Sequence, residues 1–321
     1  MAGRVGGRAE EVGGDRCGSW SAAEQRGGHS AGGLRCLPGT RRRHNRTGRA
    51  TAIDCGYRSI DTAALYGNEA GVGEAIATCG VPRENLFVTT KLWNDDQGYE
   101  STFHAFEASL RRLRLDYVDL YLIHWPKPAE DRYVDTWRAF EKLYADGRVR
   151  AIGVSNFQVA HLQRLLDETD VVPALNQVEL HLDLQQAPLR RFHARRDIVT
   201  EAWSPLGEGR AFGHPVVVEL ARRHGRSPAQ IVLRWHVQLG NVVIPKSTTP
   251  SRIKENIAVF DFELSDAEMA ALAGLETGTR LGPDPDGRDA RPRPGFSSAG
   301  GRWAEDTAGP RADPGTSLQD R

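Results

Sequence analysis

The chain has 321 residues, 39 % of them hydrophobic, and balances 42 basic against 42 acidic side chains. Zero net charge excludes steering of the whole molecule toward nucleic acid or an anionic membrane, and no apolar run nears the ~18 residues a bilayer span requires. Cys17, Cys36, Cys55 and Cys79 show neither paired nor metal-ligand spacing, which fits a reducing, cytoplasmic setting.

Composition divides the chain into three. Residues 1–50 are rich in Gly and Arg, lack Lys, and carry almost no aliphatic periodicity, so a disordered segment is expected there. Arg41-Arg42-Arg43 has no aromatic platform or folded motif beside it, so no nucleic-acid partner is expected. Residues 282–321, rich in Pro, Gly and Arg, read as a second disordered tail, while residues 51–281 have an ordinary globular composition. The abrupt change near residue 50 reads as out-of-frame or misannotated translation at both ends. The other two frames of the upstream DNA test this, because a strand-and-helix pattern is expected in one of them.

In chain order, residues 51–55, before Gly56, look like the last turn of a first helix whose strand is not readable. Short apolar runs then predict strands at 58–61, 86–91, 118–123, 151–154, 175–178, 198–202 and 242–244. Helical runs lie between them. One over 68–78 stops at Gly80, another over 133–145 stops at Gly147, and both glycines suit a left-handed C-cap. Ser227-Pro228 starts a helix running through Leu239, and Ser265 with Glu268 forms a capping box. The alternation predicts an α/β protein with a (β/α)8 TIM barrel whose first β/α unit is missing or replaced. Such a barrel has unpaired edges at its second and last strands, and low stability is expected of it.

The strand ends carry polar residues in series: Asp61, Lys91, His124 and Ser155-Asn156, spaced by about thirty residues, one βα unit each. All βα loops of a parallel barrel open on one face, so these side chains should converge there, with Tyr66 on the rim. Lys91 follows an apolar run and needs a counter-ion, which Asp61 can supply. An ammonium beside a tyrosine hydroxyl favours phenolate and makes the phenol a better proton donor to a carbonyl. His124 can bind and orient the same oxygen. Each residue alone also has a structural reading; four at barrel spacing point to carbonyl reduction with a nicotinamide cofactor.

Further strand ends suit that cofactor. Ser155, Asn156 and Gln177 offer donor–acceptor pairs for a carboxamide, and Trp203 offers a flat face for stacking. Lys246, Ser247 and Thr248 followed by Arg252 form a phosphate site, whose two cations favour the 2′-phosphate of NADPH. Gly71-Val72-Gly73 lies within a helical run and lacks the third glycine of a dinucleotide fingerprint. Gly153-Val154-Ser155-Asn156-Phe157 lacks the second glycine of a nucleophile elbow, and the ten histidines have no metal-ligand spacing, so no metal is expected.

Gly56-Tyr57-Arg58-Ser59-Ile60-Asp61-Thr62-Ala63 through Tyr66-Gly67-Asn68-Glu69 resembles the first signature of the aldo-keto reductases. Leu122-Ile123-His124-Trp125-Pro126, Ile152-Gly153-Val154-Ser155-Asn156-Phe157 and Ile244-Pro245-Lys246-Ser247 resemble later ones. The likeness spans about residue 51 to Asp286 and is strongest to bacterial 2,5-diketo-D-gluconate reductase-like members. It implies Tyr66 as general acid, with Asp61, Lys91 and His124 completing a tetrad. It also implies NADPH contacts from Ser155, Asn156, Gln177, Trp203, Ser204, Leu206, Lys246, Ser247, Arg252, Glu255 and Asn256, and cavity walls from Trp93 and Trp125. The expected partner is a small carbonyl substrate, and a monomer is expected. The alternative is a barrel that binds NADP(H) without turnover, or is defective, because its first unit is missing.

Overall fold

The computed structural model describes residues 52–287 and the backbone of residues 33–35. Eight strands form one parallel sheet in chain order: β1 (Gly33–Arg35), β2 (Ser59–Asp61), β3 (Phe87–Leu92), β4 (Val118–Ile123), β5 (Val149–Ser155), β6 (Leu175–Glu179), β7 (Val199–Trp203) and β8 (Val242–Val243). The described helices are α1 (Glu69–Thr78), α2 (Tyr99–Leu113), α3 (Tyr133–Ala145), α4 (Val159–Glu168), α5 (Ala187–Arg195), α6 (Pro215–His224), α7 (Pro228–Gln238), α8 (Pro250–Ile257) and α9 (Asp266–Ala273). A parallel sheet in sequence order with helical crossovers is the layout of a (β/α)8 barrel.

One expectation is corrected. Residues 1–50 do carry a strand: Gly33, Leu34 and Arg35 pair in parallel with Ser59, Ile60 and Asp61. Three residues containing a single aliphatic side chain give no hydrophobic run to read, so only pairing with β2 reveals β1. The edge expected at β2 is therefore covered. Residues 52–54 are helical, as the turn expected before Gly56 requires. The disorder expected for the rest of residues 1–50 and for 288–321 lies outside the described residues. Residues 282–287, placed by composition in the tail, are described and bonded to the body of the protein.

β4 shows how the core is layered. Leu120 and Leu122 join Ala151 and Leu175 on the inner face, whereas Tyr121 and Ile123 join the outer cluster shared with the helices. Alternate side chains point to opposite faces of a strand, and here both faces are covered, so all six positions are buried. Tyr121 stacks on Phe140 with ring centroids 4.5 Å apart and meets Phe106 edge-on at 5.0 Å. Burial pushes its phenol well above the usual range.

Local signals act as the sequence requires. Ser227 accepts from Gln230 N at 3.3 Å while Gln230 Oε1 accepts from Ser227 N at 3.1 Å, closing a capping box at α7. Ser265 and Glu268 do the same for α9. Gly80 and Gly147 take φ of 73° and 68° just beyond α1 and α3.

Candidate active site

Strand register builds the site. Asp61 pairs with Thr89, so Lys91, two residues on, shares its face one layer nearer the C-terminal end of the sheet. The Lys91 ammonium lies 2.7 and 2.6 Å from the two oxygens of Asp61 and donates to Thr62 O at 3.0 Å. Lys91 is fully buried and Asp61 nearly so, which leaves the pair little water to compete with.

Ser155 pairs with Gln177, and Gln177 with Glu201, so one register row spans three strands. Gln177 Nε2 donates to Asp61 Oδ2 at 2.9 Å and to Glu201 Oε2 at 2.6 Å. The ion pair is thereby tied to a second buried carboxylate that sequence reasoning missed. Glu201 sits between Thr200 and Ala202 in an ordinary strand, and its role appears only when β6 is set beside β7.

Tyr66 ends a 3₁₀ turn, Ala64–Tyr66, closed by Gly67 N donating to Ala64 O. Thr62 Oγ1 donates to Asn68 Oδ1 at 2.7 Å and braces the loop. The Tyr66 ring centroid is 5.4 Å from Lys91 Nζ and 5.7 Å from that of His124. His124 also meets Trp93 edge-on at 5.2 Å. Trp93 packs against Trp125, Trp203 and Ile244, which gives the site an apolar wall. The four residues expected to act together are thus neighbours, and both expected wall tryptophans stand beside them.

The expected carboxamide ligands are already partly engaged. Asn156, held at φ 66°, donates from Nδ2 to His124 O (3.0 Å) and Ser155 Oγ (3.1 Å) and accepts from Trp203 Nε1 at 2.8 Å. Ser155 Oγ donates to Gln177 O at 2.9 Å. The amide nitrogens of Asn156 and Gln177 are committed to protein acceptors, but each amide oxygen has two lone pairs and can still receive a carboxamide N–H. Trp203 is 9 % exposed, so only a strip of its ring can meet a ligand.

Past β8, Lys246, Thr248 and Arg252 are exposed and Ser247 partly so, around the first turn of α8. This set of two cations, two hydroxyls and a helix N-terminus matches a phosphate group. Ser204 (φ 51°), Leu206 and Gly207 form the turn after β7. Asn256 is buried on α8, and the Glu255 carboxylate accepts from Ser227 Oγ, so Glu255 is held by the cap of α7. No group of His, Cys, Asp and Glu among the described residues can hold a metal ion, and no helix among them is long and apolar enough to cross a membrane.

The family model described as "Aldo/keto reductase family" matches residues 40–277. An aldo-keto reductase of Mycolicibacterium smegmatis is 58 % identical over 236 residues, 74 % of this chain and 86 % of the relative. Methylglyoxal reductase DkgA of Salmonella typhimurium is 55 % identical over 237 residues, covering 73 % and 86 % of the two chains. Glyoxal reductase of Bacillus subtilis is 55 % identical over 235 residues, covering 73 % and 84 %. Among solved structures, an aldo/keto reductase from Brucella melitensis superposes with a TM-score of 0.73 at 52 % identity, over 77 % of this chain and 95 % of that one. A Gox0644 mutant in complex with NADPH gives 0.75 at 47 % identity, over 79 % and 93 %. On the family match and these identities, this chain belongs to the aldo/keto reductase family.

Proposed function

We propose that the protein reduces a small carbonyl compound (an aldehyde, ketone or sugar-derived ketoacid) to an alcohol with NADPH, Tyr66 acting as general acid. The observation that carries this reading is the packing of Tyr66 beside both the buried Lys91 ammonium and His124, 5.4 and 5.7 Å from its ring centroid. Names of relatives make methylglyoxal and glyoxal the first substrates to try. The sheet is read as a (β/α)8 barrel with β1 as its first strand.

In this reading the carbonyl oxygen sits between the Tyr66 hydroxyl and the His124 ring. His124 orients it, and Tyr66 gives up its proton as negative charge develops on the oxygen. Lys91, fixed by both Asp61 oxygens, favours the phenolate left behind. The apolar wall of Trp93 and Trp125 keeps water from competing for the same oxygen. NADPH supplies the hydride when bound. Asn156 and Gln177 would receive its carboxamide through their free lone pairs, while Lys246, Ser247, Thr248 and Arg252 would hold its 2′-phosphate.

The test is NADPH oxidation by the full chain over a carbonyl panel headed by methylglyoxal. Turnover is expected from the wild type. Tyr66→Phe should lose about a thousandfold or more in turnover, as general-acid loss allows, and still quench its tryptophan emission on binding NADPH. Wild-type binding without oxidation of any substrate would point instead to a non-catalytic nucleotide-binding barrel, and undiminished turnover by Tyr66→Phe removes Tyr66 from its role.

A further inference from the structure

Glu179 is the last residue of β6, is 1 % exposed, and belongs to no part of the site described above. Its carboxylate accepts from Leu281 N at 2.5 Å and Gly282 N at 3.0 Å, and lies 3.0 Å from His181 Nε2. A buried carboxylate is costly unless its lone pairs meet donors, and here two of the three come from backbone on a distant segment. That segment, a strap over residues 277–286, is fastened elsewhere too. Thr277 N and Thr279 N donate to Asp183 O at 3.1 and 3.2 Å, and Asp286 Oδ1 lies 3.1 Å from His161 Nε2.

The grip has a target. A Cβ on Gly282 would stand 2.5 Å from Trp203 Cη2 and 3.0 Å from Glu179 Oε2, so the strap backbone lies directly against the indole. The same indole donates to Asn156 Oδ1, and Asn156 Nδ2 donates to the carbonyl of His124. One continuous set of contacts therefore runs from Glu179 through the strap, Trp203 and Asn156 to the histidine beside Tyr66.

We propose that Glu179 is a positioning residue for carbonyl reduction. By clamping Leu281 and Gly282 against Trp203, it holds the indole, Asn156 and His124 in one arrangement and so sets the fit of substrate. This rests on the reductase reading above. The clamp needs a carboxylate, because both strap N–H groups donate to it. A glutamine would turn an NH2 toward one of them, replacing an attraction with a donor–donor clash. The clamp also needs glycine at position 282, because any side chain there drives the indole away.

The experiment compares wild type, Glu179→Gln, Glu179→Asp and Gly282→Ala as full chains. It measures kcat and KM for methylglyoxal, the thermal midpoint, and the rate of tryptic cleavage after Arg280. Glu179→Gln and Gly282→Ala should each raise KM about tenfold, a modest share of what an ångström of misplacement can cost, with kcat held within about threefold. Glu179→Gln should also speed cleavage at Arg280, and Glu179→Asp, which keeps the charge, should recover part of the KM. A purely structural Glu179 would move the thermal midpoint without this KM-against-kcat split, and that outcome overturns the proposal. If Glu179→Gln does not fold, Gly282→Ala decides, since an unchanged KM there is equally fatal. Absence of wild-type turnover on every carbonyl overturns the reductase reading and the positioning role with it. Wild-type turnover with unchanged KM in the folded variants overturns the clamp alone.

Discussion

Lys91 Nζ lies between both oxygens of Asp61 and the carbonyl of Thr62, with no exposed side-chain surface. Ion pairs this deep are often no better for stability than apolar residues of the same size, because desolvation offsets their attraction. Retention of one beside a tyrosine ring therefore argues for chemistry. Lys91→Met should abolish turnover and cost about 3–5 kcal/mol, because it leaves the buried Asp61 carboxylate without its counter-charge, with only the Gln177 amide donating to it. Lys91→Met with Asp61→Leu should regain much of that stability in urea denaturation yet stay inactive; an active double variant would separate the pair from the reaction. At the other end of the site, Arg252→Ala should raise the Kd for NADPH about tenfold, equivalent to ~1.4 kcal/mol, and leave NADH binding nearly unchanged. Equal weakening of both cofactors would show that Arg252 does not read the 2′-phosphate. The tetrad was legible because Asp61, Lys91 and His124 end apolar runs at one-unit spacing, with Tyr66 five residues past Asp61 on the same rim. Glu201 and Glu179 were not, since each is defined by a partner on another element: Gln177 for one, the strap for the other.

Gly73 shows the same limit in an element. In the sequence it looked like part of a failed dinucleotide fingerprint. In the fold it lies inside α1, where a Cβ would stand 1.9 Å from the carbonyl oxygen of Leu113 at the end of α2. Glycine in a helix interior normally costs about 1 kcal/mol against alanine. Here the contact is with backbone, which cannot rotate aside. Gly73→Ala should therefore destabilise by about 1–3 kcal/mol, the usual range for overpacking, although propensity alone predicts a gain. A higher urea midpoint for Gly73→Ala would refute the close packing of α1 on α2. Elements with strong local signals were readable to the residue, as β4 and α3 were, because a nearly unbroken apolar run marks the first and Gly147 stops the second. β1 was not, because its three residues gain their strand character from pairing with Ser59–Asp61.

Two buried histidines set how the whole molecule responds to acid. His193 accepts from Asn176 Nδ2 and donates to Thr200 Oγ1, while His236 donates to Pro205 O and accepts from Asn241, so both rings are neutral. Burial lowers His193 from 6.5 to about 4 and His236 to about 3. Unfolding restores the ordinary value, so below pH 6.5 the unfolded chain binds protons that the fold refuses. Their contribution is intact above that pH and is lost as pH falls toward 4 and then 3. The urea midpoint should therefore decline between pH 7 and 5, and less steeply in a His193→Gln, His236→Gln double variant; an unaltered slope would assign the acid sensitivity to other groups. A different vulnerability follows from strand length. The sheet begins with three paired residues at β1 and ends with two at β8, whereas β4 and β5 pair at five positions. Backbone amides at these ends should exchange with deuterium first, through local opening well below the global unfolding energy. Because the phosphate segment starts three residues after β8, NADPH would bind where the sheet opens most easily, and its saturation should slow exchange there more than anywhere in the middle strands.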